Sequence, residues 1–218
     1  MNRERWLEER LNAVKSLFPM FVKLEGRPVL VVGAGRVGEP KIGGLLPTGA
    51  QVRVVAREAS ATVREWARNG KVILEGRDFV PDDLQGVMLA VVATASPELN
   101  ALIYRLARTR GVPCNIVDVP EYCDFYYPAV VQRGDLQIAI STSGQSPSLA
   151  QKIRKQLEVQ FGPEYAAWVA ELGATRQRIL ASNLDPAAKR ELLMSLASAD
   201  AFDALIAENE PVGQEVGS

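Results

Sequence analysis

Apolar positions recur at near-helical spacing through Trp6, Leu7, Leu11, Val14 and Leu17, which predicts a helix over residues 3–17. The pattern then changes. Val29 to Val32 is short and wholly apolar, as a strand covered on both faces would be. Lys41 to Leu46 predicts a helix that stops near Pro47 and Gly49. The alternation repeats with a strand at 51–56, a helix at 61–70, a short strand at 72–76 and a strand at 87–93. A helix from Pro97 to Arg110 and a fifth strand at 113–118 complete it. Strands alternating with helices predict an α/β fold, a doubly wound parallel sheet with helices on both faces.

Past Asp118 the period shifts. Residues 128–142 predict two strands joined by a turn at Arg133-Gly134-Asp135, a β-hairpin outside the alternating unit. Ser146 and Pro147 have the character of a helix start, serine as cap and proline at the first helical position. Pro163 to about Glu208 is helical in pattern, broken near Asn183 to Pro186, with a frayed end at 211–218.

Composition narrows the chemistry. The 218 residues suffice for one ordinary domain or two small ones, and 25 basic against 26 acidic residues argue against a general nucleic-acid binder. The two cysteines, Cys114 and Cys123, form no CxxC pair, which argues against a disulfide framework or a structural zinc site. The N-terminus is too charged for a signal peptide and no apolar run is long enough to span a bilayer, so a soluble, cytoplasmic protein is expected. The chain has no histidine. Acid–base work therefore falls to carboxylates, hydroxyls, cysteines, lysines or a cofactor, and no protein-held metal is expected.

One loop is specific. Gly33-Ala34-Gly35-Arg36-Val37-Gly38 reads G-x-G-x-x-G directly after a strand and at the start of a helix. That context suits the pyrophosphate of NAD, with the glycines giving a tight turn, a close backbone approach and close packing of helix on strand. The other reading is a turn needed only for packing. Glu58, near the end of the second strand, suits the ribose hydroxyls of NAD, while the adjacent Arg57 would suit a 2′-phosphate. Asp118, with no histidine to compete, is either a proton acceptor at a crevice or a carboxylate capping the turn at Val119 to Glu121.

From Leu17 to about Phe161 the chain resembles the precorrin-2 dehydrogenase/sirohydrochlorin ferrochelatase family, which also forms the N-terminal half of bifunctional sirohaem synthases. The resemblance is carried by FPMFVKLEGRPVLVVGAGRVGEPK, by VVATASPELN and above all by CNIVDVPEYCDFYYPAVVQRGDLQIAISTSGQSPSLAQKIRKQLE. It implies a Rossmann-type domain over 1–118, a dimerisation region over 119–146 and a helical domain over 147–218. It further implies NAD-dependent oxidation of precorrin-2, a tetrapyrrole polycarboxylate, by a homodimer. In many members ferrous iron is then inserted as a second substrate, and the residues leave open whether this chain does so.

The family's essential aspartate falls on Asp118. Thr94 and Asn100, flanking the loop after the fourth strand, are placed on the cofactor side by strand position and by the resemblance. The loop Ser141-Thr142-Ser143 is expected near substrate. Lys152 and Arg154, with Lys155 on the same stretch of helix and Arg133 at the hairpin turn, are candidates for the substrate's eight carboxylates; a solvated face balanced by Glu158 is the other reading. Phe125, Tyr126 and Tyr127 are expected in interface packing. The chain departs from the family pattern at Gly38 (usually alanine), Pro40 (usually arginine) and Ser143 (usually glycine). No methyltransferase half follows, so methylation of uroporphyrinogen is not expected. Two other classes compete: an NAD(H)-sensing regulatory module without catalysis, and an NADP-dependent oxidoreductase for another small substrate, the latter motivated by Arg57.

Overall fold

The computed structural model describes residues 17–198 and 200–204; the helix expected over 3–17, all but its last residue, and the tail at 211–218 lie outside them. The chain divides into two compact units, one ending at Tyr127 and the other beginning at Pro128.

The first unit is a five-stranded sheet of β1 (Pro28–Ala34), β2 (Gln51–Ala59), β3 (Ile73–Glu75), β4 (Leu89–Val92) and β5 (Cys114–Ile116). All pairs are parallel, in the order β3-β2-β1-β4-β5. Its helices are α1 (Gly38–Leu45), α2 (Ala61–Arg68) and α3 (Pro97–Thr109). The run Val29 to Val32 is apolar throughout because both faces are covered. Val29 and Val31 meet Val52, Val54, Ile42 of α1 and Val63 of α2. Leu30 and Val32 meet Val55, Ala90, Val92 and Ile103 of α3 on the opposite face. Ser60 and Ser96 start α2 and α3 by accepting the Val63 and Leu99 N–H groups at 3.1 and 3.2 Å. The strand order reverses direction between β1 and β4, which opens a crevice at their carboxyl ends.

Most boundaries move by a residue or two, and three of the differences bear on the site. The first helix begins at Gly38, not Lys41, and β2 runs on to Ala59, which pairs with Ala34 beyond a register shift at Gly33. More consequentially, β5 stops at Ile116, so Asp118 does not end the strand. The Val117 N–H still reaches Val92 O at 2.9 Å, but Asp118 turns left-handed at φ 64° and Val119 N–H folds back to Ile116 O.

The second unit is an antiparallel hairpin of β6 (Ala129–Arg133) and β7 (Leu136–Ile140) with α4 (Pro147–Gln160), α5 (Tyr165–Ala181) and α6 (Pro186–Leu196). Arg133 pairs with Leu136 across a two-residue turn whose first member, Gly134, has φ 54°. Ser146 caps α4, accepting the Leu149 N–H at 3.2 Å, and Asp185 caps α6 after the expected break. Arg133 donates to Phe161 O at 2.8 Å and Glu158 O at 3.1 Å, fastening the hairpin to the end of α4. Its guanidinium caps a helix and is not a free anion site.

Ser143 also has positive φ, 52°, and its hydroxyl has no partner among the described residues. An L-residue there carries about 1 kcal/mol of backbone strain that glycine escapes. Ser143→Gly should therefore stabilise the second unit by about 0.5 kcal/mol, read as a rise in the denaturant midpoint, after the greater freedom of unfolded glycine is deducted. A fall would mean the hydroxyl holds the loop.

Candidate active site

The crevice is a cleft of about 570 Å³ in the first unit. Its walls are Gly33 to Gly35 at the end of β1, Ala56 to Glu58 of β2, Arg77 to Phe79 after β3, Ala93 to Ala95 after β4, and Leu99 of α3. The three glycines differ in what demands them. A Cβ on Gly33 would lie 2.3 Å from Ala93 O, at φ 97°, and one on Gly38 would lie 2.1 Å from Gly33 O. Those two are dictated by the protein's own packing, and they explain why glycine stands at 38 where alanine is the usual residue of the resemblance. Gly35 is dictated by nothing among the described residues: its φ is ordinary and a Cβ would meet none of their atoms within 4 Å. A bare backbone facing open space at the cleft is what close approach of a pyrophosphate requires.

The start of α1 fits the same group. Val37 provides no side-chain cap, unlike the serine and aspartate caps of α2, α3, α4 and α6. In its first turn the Glu39 N–H donates to Gly35 O at 2.9 Å and Pro40 has no N–H, so the Gly38 N–H is the group left to an anion. Arg36 and Val37 are exposed on the loop and do not line the cleft. A dinucleotide thus fits Gly33 to Gly35 and the start of α1. Glu58, which lines the cleft from β2, has no ion-pair partner among the described residues. Arg57 beside it is paired with Asp78 at 3.2 Å.

Thr94 lines the cleft, and its hydroxyl donates to Asn100 Oδ1 at 2.7 Å. Asn100 is buried and returns a bond from its amide to Thr94 O at 3.3 Å. It therefore sets the shape of the loop after β4 rather than facing the cleft itself.

β4 and β5 pair with Val92 opposite Ile116. Thr94 and Asp118 each stand two residues beyond that pair, on the carboxyl edge of neighbouring strands about 4.8 Å apart. Asp118 is exposed, outside the walls of the cleft, and its carboxylate has no hydrogen-bond or ion-pair partner among the described residues. It caps none of the following N–H groups: Val119, Tyr122 and Cys123 bond to Ile116, Val119 and Pro120 carbonyls. The capping role is excluded, and a strained, unpartnered carboxylate at the edge of a ligand crevice remains. Its turn is rigidly underpinned. Asp124 accepts the Cys114 N–H at 2.9 Å, and buried Asn115 donates to Phe125 O at 2.7 Å.

The cysteines are structural. Burial pushes the Cys114 thiol up to about 12 and raises that of Cys123, so neither is a thiolate near neutral pH. No group of three or more Cys, Asp or Glu able to hold a metal ion occurs among the described residues.

The remaining sequence-predicted residues lie in the second unit. Ser141 and Thr142 shape their own loop, accepting the Ser143 and Ser146 N–H groups at 3.1 and 3.0 Å. Arg154 is paired with Glu158 and bonded to Gln151, whereas Lys152 is exposed with no partner among the described residues.

Sequence reasoning missed an ionic network beside the cleft. Asp83, 2% exposed, receives Arg77 through both of its oxygens, Arg53 at 2.7 Å and the Val80 N–H at 2.8 Å. Burial alone would raise its carboxyl; the Arg77, Val80 and Arg53 bonds outweigh that and hold it at about 2. The sign follows from proton uptake: the unfolded carboxyl, near 3.9, protonates first. Asp83 therefore contributes about 2 kcal/mol above pH 5, lost as pH falls from about 4 towards 2. Urea unfolding of wild type and Asp83→Asn at pH 5 and pH 2.5 checks this. The gap between the two should narrow at the lower pH, and an unchanged gap would contradict it.

Residues 20–129 match the NAD(P)-binding family, and residues 133–160 match the central part of sirohaem biosynthesis proteins. The chain is 36% identical over 172 residues to the siroheme synthase of Methylococcus capsulatus, covering 79% of this chain and 36% of that protein. It is 34% identical over 197 residues to the siroheme synthase of Neisseria meningitidis serogroup C, covering 90% and 41%. The chain thus spans about two fifths of the length of these curated relatives. The solved structure of SirC, a precorrin-2 dehydrogenase, superposes with a TM-score of 0.75 at 28% identity, covering 89% of this chain and 96% of that one. Among the described residues no helix is long and apolar enough to cross a membrane.

Proposed function

The chain belongs to the NAD(P)-binding family, with siroheme synthases and a precorrin-2 dehydrogenase among its relatives, and on that premise we propose that it oxidises precorrin-2 to sirohydrochlorin with NAD. The observation that carries this reading is Asp118: a carboxylate held in left-handed backbone, without a partner among the described residues, beside the carboxyl ends of β4 and β5.

The reaction removes a hydride and a proton from a reduced macrocycle. NAD supplies the hydride acceptor when bound. Gly33 to Gly35 and the α1 start hold its pyrophosphate, Glu58 its ribose hydroxyls, and Thr94, locked by Asn100, shapes the wall after β4. Asp118 Oδ accepts the substrate proton, a role that needs an ionised, accessible carboxylate and no third group. In the second unit the resemblance puts forward Lys152, Arg154 and the Ser141-Thr142-Ser143 loop for carboxylates, and of the two cations Lys152 has no partner among the described residues while Arg154 would first have to leave Glu158. Insertion of ferrous iron into the product would need only a proton acceptor, because the four ring nitrogens are the ligands; that activity too would depend on Asp118.

We also assign the three-part division of the sequence, coenzyme binding over 1–118, subunit pairing over 119–146 and a helical domain over 147–218. In support, β6 and β7 form a two-stranded sheet whose outer edges have no strand partner among the described residues, and Val130 is 38% exposed. A homodimer by sedimentation would agree, and a monomer would remove the pairing role. For the activity, protein mixed with NAD and precorrin-2 should develop the absorbance of sirohydrochlorin. A chain that binds NAD and leaves precorrin-2 unchanged would instead be a sensing module.

A further inference from the structure

We propose that Asp78, through its hold on Arg57, is a second determinant of coenzyme choice alongside Glu58. This rests on the coenzyme reading above. With the pyrophosphate at the glycine loop, the adenosine ribose lies towards the end of β2, the wall that Arg57, Glu58, Arg77 and Asp78 share. NADP differs from NAD there by one 2′-phosphate, which needs a cation. Two guanidiniums are present, and they are not equivalent.

Arg77 is committed. It donates to both oxygens of buried Asp83 and is paired with Glu75, so withdrawing it would take two charged hydrogen bonds from a carboxylate that is 2% exposed and leave it only Arg53 as a cation among the described residues. Arg57 is held by a single contact, Nε to Asp78 Oδ1 at 3.2 Å, between side chains 80% and 78% exposed. Such a pair is weak and screened by salt. Among the described residues the terminal nitrogens of Arg57 have no partner. Arg57 is the exchangeable cation of this wall, and Asp78 is the anion a 2′-phosphate would have to displace. Asp78 thus biases the cleft against NADP by occupying Arg57, while Glu58 favours the free ribose hydroxyls of NAD.

The test is a binding cycle with the full chain, with NAD, NADP and adenosine 2′,5′-bisphosphate titrated by calorimetry at low salt and no substrate present. Wild type should prefer NAD. Asp78→Asn should shift the NADP-to-NAD affinity ratio about threefold towards NADP and tighten the bisphosphate to match. Adding Arg57→Ala to that variant should cancel the shift, and salt should shrink it. A structural role for Asp78 would move both dinucleotides together and leave the ratio still. An unchanged ratio, a shift that survives loss of Arg57, or wild type binding NADP as tightly as NAD overturns the inference while leaving the coenzyme site standing. Failure of both dinucleotides to bind wild type overturns the site and the inference together.

Discussion

Replacing Asp118 with asparagine should lower precorrin-2 turnover at least about a hundredfold while NAD affinity stays within about twofold. The separation is expected because Asp118 lies outside the cleft walls, on the neighbouring strand edge. Asparagine tolerates left-handed backbone as well as aspartate does, so the fold should be untouched. Asp118→Gly sharpens the result. Its φ of 64° suits glycine, and no hydrogen bond among the described residues is lost, so stability should hold or rise by up to about 1 kcal/mol while activity disappears. An inactive protein at least as stable as wild type is the mark of a residue kept for chemistry. An active glycine variant would remove Asp118 from the mechanism.

The second large effect separates the glycines. Gly35→Val should weaken NAD binding about a hundredfold, close to 3 kcal/mol, and leave the melting temperature nearly unchanged, since the added side chain meets only open cleft. Gly33→Ala should do the reverse. Its Cβ would sit 2.3 Å from Ala93 O in backbone that disfavours any side chain, so the unit should lose about 3 kcal/mol or more before binding is even at issue. Calorimetric melting beside NAD titration distinguishes the two. Equal loss of binding and stability at Gly35 would mean it serves packing.

Much of the first unit was legible because burial on both faces writes itself as uninterrupted apolar strands. In the second unit Ser146-Pro147 starts a helix as its chemistry predicts, and Ser96-Pro97, read only as the start of a helix at Pro97, does the same in the first. Asp118 was legible as a candidate but its placement was not. The ladder ends at Ile116, and the sign of φ leaves no trace in the alternation of apolar and polar residues. Arg133 was misread for a related reason: its partners, Glu158 O and Phe161 O, are backbone carbonyls 25 and 28 residues away. The Asp83 network was invisible because its members come from β2, β3 and the turn beyond, with Arg53 and Asp83 30 residues apart. In sequence, RDFVPDD is only a charged turn. Separation along the chain also hid Asp78, whose meaning arises from facing Arg57.

The measurement closest to the central claim is the yield of NADH against sirohydrochlorin when the full chain, NAD and precorrin-2 are combined without oxygen. One NADH for each sirohydrochlorin, at a rate set by protein concentration, is the predicted result. Sirohydrochlorin forming no faster than in a protein-free control, with NAD demonstrably bound, would contradict it.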